Sequence, residues 1–184
     1  MKTVHNTNSV PNDSFQKLIL TALFTALVCV ATLSIRIPTP GTSGYIHPGD
    51  AVVILSGVIL GPWWGFLAAG IGSAMADLLG GYMVYVPISL IIKGLVALSA
   101  GLIYQHIGKN SRTRFAAVAL GGIADIVLVA GGYFIFEFFL YGAGASASIP
   151  ANLTQGAGGM LISCVLYPML ISVPEVRRLS LAGK

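Results

Sequence analysis

The sequence predicts an all-α integral membrane protein, and three observations carry that reading. First, 55% of its 184 residues are hydrophobic while only 9% are charged. A water-facing domain carries roughly a quarter charged residues, so most of this surface does not face water. Second, the mean hydropathy is +0.86. Third, the apolar residues fall into six runs with turn-forming residues between them. The 23 glycines agree, because helices in lipid pack closely through small residues.

The runs span residues 17–35, 50–60, 63–79, 87–106, 115–140 and 151–173. A helix needs about 20 residues to cross the hydrocarbon, which leaves the second and third in question. Run 50–60 is short for a crossing, and 50–79 is long for one plain helix. Gly61-Pro62 between them is a strong turn signal. Basic residues decide the matter, since Lys and Arg gather on the cytoplasmic side. Lys2 and Lys17 precede the first run, Lys109, Arg112 and Arg114 follow the fourth, and Arg177, Arg178 and Lys184 follow the last. Placing all three groups inside requires an even number of crossings between each pair of groups. The expectation is therefore six transmembrane helices, N-in/C-in, with eight of the ten basic residues on one face. In domain terms this is a flexible cytoplasmic N-terminus (1–14), one membrane domain (15–174) and a basic tail (175–184).

The net charge of +4 suggests nucleic acid, but the cations sit at the ends of apolar runs and not along a stripe, so no nucleic-acid partner is expected. Cys29 and Cys164 lie inside apolar runs and read as packing residues, not as metal ligands or nucleophiles. The outer connections, 36–49, 80–86 and 141–150, are nearly uncharged. The first, RIPTPGTSGYIHPG, is a long outer loop between helices 1 and 2, long enough to act as a lid or to be a plain connector.

An ionisable residue at membrane depth costs about 2.5–3.5 kcal/mol on insertion scales, so each one needs a reason. Here they are Asp50, Asp77, Lys93, Asp125 and Glu137. In the expected orientation Asp77 lies near the outer end of the third helix. Lys93 lies about 9 Å into the fourth, at about 1.5 Å per residue. Asp125 falls near mid-membrane and Glu137 near the outer end of the fifth helix. Asp50 opens the second helix, where it serves as an N-terminal carboxylate or a ligand. Tyr45, His47, Tyr82, Tyr85, Tyr133 and Tyr141 cluster at the same level, with Asn152 and Gln155 one helical turn apart. Aromatic walls with a few placed polar groups are the composition of a solute pocket opening outward. The plainer readings are an Asp77–Lys93 ion pair, tyrosines of an interfacial belt, and Asp125 satisfied by a helix approaching Gly121 and Gly122. Glu137, alone among apolar residues in YFIFEFF, has the best claim to touch solute.

Taken together, Ala22 and Ala26 in the first helix, GYIHPGD at 44–50, GVILGPWWGFLAAGIGSAMADLLGGY at 57–82 and IIKGLVALSAGLIY at 91–104 resemble the S component of an energy-coupling-factor (ECF) vitamin transporter. The likeness covers nearly the whole chain and is nearest to the hydroxymethylpyrimidine- and pyridoxine-type subgroup. It implies a non-catalytic substrate-binding subunit in a prokaryotic cell membrane, with no cofactor or metal. Its partners would be a transmembrane coupling (T) subunit and two ABC ATPases. The resemblance also implies that the Ala22/Ala26 face docks on the coupling subunit and that loop 36–49 covers the vitamin. The absence of a Walker A motif from the sequence agrees. The expected substrate-binding set is Tyr45, His47, Asp50, Asp77, Tyr82, Tyr85, Lys93, Tyr133, Glu137, Asn152 and Gln155. Rival readings are a stand-alone proton-coupled carrier using Asp125, an intramembrane enzyme using the outer carboxylates, and a purely structural subunit. No HExxH or GxSxG motif supports the enzyme.

Overall fold

A computed structural model describes residues 13–39 and 41–181. The expected N-terminal segment 1–14, apart from Asp13 and Ser14, lies outside the described residues, as do Lys2 and Lys184. The chain is helical nearly throughout: α1 (Asp13–Ser34), α2 (Asp50–Leu60), α3 (Pro62–Gly80), α4 (Val86–Ile107), α5 (Ser111–Tyr141), α6 (Ile149–Ile171) and α7 (Pro174–Leu181). All six apolar runs are helices, so the all-α membrane reading stands. The basic tail contains a helix that hydropathy did not suggest, because α7 is short and mostly polar.

By length and apolarity alone, three helical stretches can cross a bilayer: Ser14–Ser34, Val86–Ile107 and Ser111–Ile171. The last is 61 residues long, about 90 Å at about 1.5 Å per residue, three times a hydrocarbon core of about 30 Å. It contains α5 and α6, joined by a 3₁₀ segment (Gly142–Ser148). The two helices pack side by side, so that segment reverses the chain.

The short run 50–60 is short because it is not a lipid-facing helix. α2 touches α1, α3, α4, α5, α6 and α7, and ten of its eleven residues are buried. It forms the axis of the bundle, with Val53, Ile54, Leu55, Val58 and Ile59 at its core. Such close packing needs a bare backbone. A Cβ at Gly57 would lie 1.9 Å from the Ala97 carbonyl oxygen of α4, and one at Gly65 of α3 would lie 2.5 Å from Gly57 Cα. At the turn from α2 to α3, Gly61 takes φ +87°, which favours glycine, and Pro62 opens α3, where its missing N–H costs nothing.

The small-residue edge Gly65, Ala69, Ser73 on α3 packs inside the bundle. The corresponding edge on α1 does not: Ala22 and Ala26 are exposed, beside Leu23, Leu27 and Val30. Cys29 and Cys164 are free, as packing residues would be.

Candidate functional site

The connection from α1 to α2 is folded, not slack. Strands β1 (Ile37–Pro38) and β2 (Tyr45–Ile46) pair antiparallel, with Ile37 opposite Ile46. The backbone N–H of His47 donates to Gln155 Oε1 of α6 at 2.9 Å, which ties the loop across the top of the bundle. The Gly49 N–H donates to His47 Nδ1 at 3.1 Å, so that nitrogen carries no proton.

Beneath the loop is a cavity lined by Thr39, Gly44, Tyr45, His47, Asp77, Tyr85, Ser89, Tyr133, Glu137, Asn152 and Gln155. Its free volume is about 20 Å³, room for little more than a water molecule, so a solute enters only if the covering loop shifts. Eight of the eleven substrate-binding residues expected from sequence line it. The periodicity of the helices explains why. Tyr85, Ser89 and Lys93 recur every four residues on α4, and Asp125, Val129, Tyr133 and Glu137 do so on α5, so each set shares one face. Asn152 and Gln155 share the first turns of α6.

Three expected residues lie outside the lining. Tyr82 stacks on Tyr45, ring centroids 4.4 Å apart, and so supports a wall. Asp50 and Lys93 form the floor: Lys93 Nζ lies 2.5 Å from Asp50 Oδ1 and both are buried. Gln155 Nε2 donates to Asp50 Oδ2 at 2.7 Å, and Lys93 Nζ sits 5.5 Å from the centre of the Tyr133 ring. The expected Asp77–Lys93 pair is therefore incorrect. Position 50 opens α2 at the core, where it meets α4 directly, while Asp77 faces the loop and accepts from Tyr45 Oη at 2.8 Å. Nor is Asp50 a side-chain cap; the capping position is Gly49.

The two lining carboxylates differ. Glu137 accepts from Tyr85 Oη at 3.0 Å and from Ser148 Oγ, so both its oxygens are engaged. Asp77 uses Oδ1 alone, and its buried Oδ2 has no hydrogen-bond partner among the described residues. Sequence isolation of Glu137 had pointed the other way; its partners come from distant segments. Asp125 also departs from expectation. It is fully buried and neither oxygen has a hydrogen-bond partner among the described residues, because Gly121 faces Ala100 and Gly122 faces Met160.

Thr39, Gly44, Ser89 and Ser148 were missed. Ser89 bonds the Tyr133 hydroxyl at 2.7 Å, and its place between Tyr85 and Lys93 on one helical face was the available signal. Nothing local marks Thr39, Gly44 or Ser148. In the loop, burial and the Asp77 carboxylate push the Tyr45 hydroxyl up, so it remains a donor. Burial pushes His47 down to about 4, opposed by Asp50 and reinforced by Lys93, so the ring is neutral at pH 7.

These features coincide with the relatives of the chain. The family described as the ECF-type riboflavin transporter, S component, matches residues 12–172. A Lactococcus lactis protein named thiamine precursor transporter HmpT is 31% identical over 161 residues, covering 86% of this chain and 90% of its own. A Pyrococcus woesei protein described only as uncharacterized is 34% identical over 136 residues, covering 73% and 88%. The fold matches a solved S component of a bacterial ECF transporter with a TM-score of 0.62 at 21% identity, over 88% of this chain and 99% of that one. The chain belongs to the ECF-type transporter S-component family, as a non-catalytic subunit for vitamin uptake in a prokaryotic membrane.

Proposed function

We propose that the cavity under loop 36–49 binds a single-ring thiamine or pyridoxine precursor, with an aminopyrimidine such as hydroxymethylpyrimidine favoured. The observation that carries this reading is Asp77: it lines the cavity and holds a buried acceptor oxygen with no hydrogen-bond partner among the described residues. A buried carboxylate oxygen in that state calls for a donor from a ligand, and an exocyclic amino group supplies one. Tyr85 and Tyr133 line the cavity with aromatic rings, and Asn152 can both donate and accept. The name of the Lactococcus relative, a thiamine precursor transporter, points to the same ligand class. Asp50, Lys93 and Gln155 act beneath, holding α2, α4 and α6 in register.

In this reading both termini are cytoplasmic, the cavity opens outward, and a coupling subunit with two ABC ATPases drives release. The test is equilibrium binding to the purified chain of hydroxymethylpyrimidine, pyridoxine, pantothenate and riboflavin. One-ring ligands should bind tightest, and Asp77→Asn should weaken hydroxymethylpyrimidine by roughly tenfold or more, the loss of a charge-assisted hydrogen bond. Riboflavin binding tightest would overturn the substrate class. Uptake by vesicles holding this chain alone, driven by a proton gradient, would overturn the need for ATPase partners.

A further inference from the structure

At the end of the bundle opposite the cavity, a second concavity lies between the first turn of α5, the end of α6 and α7. Its free volume is about 450 Å³, and it is open on one side. Its lining has two parts. Arg114 and Ser111 from α5, Ser172 beyond α6 and Arg177 from α7 supply a polar rim, while residues such as Phe115 and Ile171 make an apolar wall. Phe115 is half exposed, so this wall continues onto the outward surface of the bundle.

The groove is lined by two cations and by no acidic residue. Four of the six acids in the chain, Asp50, Asp77, Asp125 and Glu137, are buried in the bundle away from this end. The other two, Asp13 and Glu175, belong to α1 and α7, against Lys109, Arg112, Arg114, Arg177 and Arg178 on the segments around the groove. Arg114 is also positioned. Its Nε donates to the Gly108 carbonyl at 3.2 Å, which leaves the terminal guanidinium nitrogens for another acceptor. The positive end of the α5 dipole adds to the field at the same rim.

We propose that this groove binds the phosphodiester of one anionic phospholipid, the head group held between Arg114 and Arg177 and an acyl chain lying along the apolar wall. Two guanidiniums lining one groove match a phosphodiester in charge and in hydrogen-bond donors. A free phosphate would use only the rim, whereas the groove joins rim and wall. Basic recesses between helices at the cytoplasmic level are where anionic head groups collect. The proposal rests on the cytoplasmic placement of this end, but not on the identity of the vitamin.

The experiment is native mass spectrometry of the full chain released from phosphatidylcholine nanodiscs doped with phosphatidylglycerol, alongside thermal melting in the same mixtures. The wild type should retain one phosphatidylglycerol and melt higher as its fraction rises. Arg114→Gln with Arg177→Gln should lower retention by roughly tenfold, on the basis of two surface cations. Vitamin affinity should not change, which shows that the variant is folded. Arg177→Gln alone, at an exposed position, should give a partial loss. Equal retention by wild type and double variant would overturn the proposal, as would equal retention of phosphatidylcholine. Equal stabilisation by inorganic phosphate without phosphatidylglycerol would assign the rim to a free anion instead. Lost co-purification with the coupling subunit at unchanged lipid retention would make the groove a protein interface.

Discussion

Asp50 and Asp125 are both fully buried carboxylates in an apolar bundle, yet their surroundings are opposite. Asp50 receives Lys93 and Gln155 on its two oxygens; Asp125 has no hydrogen-bond partner among the described residues. Removing one partner of a buried pair leaves a charge uncompensated, a loss of about 3–5 kcal/mol. Asp50→Asn should accordingly lower the melting temperature sharply and abolish solute binding. With no hydrogen-bond partner among the described residues, nothing around Asp125 depends on a negative charge there. Asp125→Asn, which keeps that shape without charge, should therefore change stability by less than about 1 kcal/mol and leave binding intact. Thermal melts of the two variants side by side test the contrast; a severe loss in Asp125→Asn would show that the residue is ionised and partnered. Sequence marked both residues as carboxylates in need of a partner but could not tell them apart. Their difference depends on Lys93 and Gln155, 43 and 105 positions from Asp50 along the chain.

Among the elements, the helices were legible and the loop was not. Long apolar runs with Gly or Pro between them are written locally, and all six became helices. Loop 36–49 gains its form from distant contacts: Tyr45 reaches Asp77, and the backbone of His47 reaches Gln155. α7 was missed for the same reason, since its Val176 packs only against a core assembled by other helices. The loop also carries a pH dependence whose sign follows from His47. Its pKa is about 4 in the folded chain against 6.5 as an ordinary histidine, so the unfolded chain binds the proton more readily. The stability contributed is full above about pH 6.5 and is lost as pH falls toward about 4. Melting temperature followed from pH 7.5 down to 4.5 should fall more steeply for the wild type than for His47→Gln. Parallel curves would remove His47 as the cause.

For the molecule as a whole, α2 is enclosed by its neighbours while α1 presents Ala22 and Ala26 outward. Small residues on an exposed helix face permit another helix to approach closely, which agrees with docking on a coupling subunit. Ala22→Trp should prevent co-purification with that subunit and leave solute affinity unchanged, because α1 contributes nothing to the cavity lining. Retained co-purification would place the docking face elsewhere.

α5 has 31 residues, about 46 Å of helix, and begins at Ser111 beside Lys109 and Arg112. Counted from that basic collar, a hydrocarbon layer of about 30 Å is crossed near residue 131, about ten residues before α5 ends at Tyr141. In the proposed orientation Tyr133 and Glu137 then lie inside the bundle at the level of the lipid head groups, above the oil. A polar vitamin would meet its site without first shedding its hydration into hydrocarbon. Discrimination would take place at the membrane surface, where the charge of neighbouring head groups, more than bilayer thickness, sets how quickly a solute arrives.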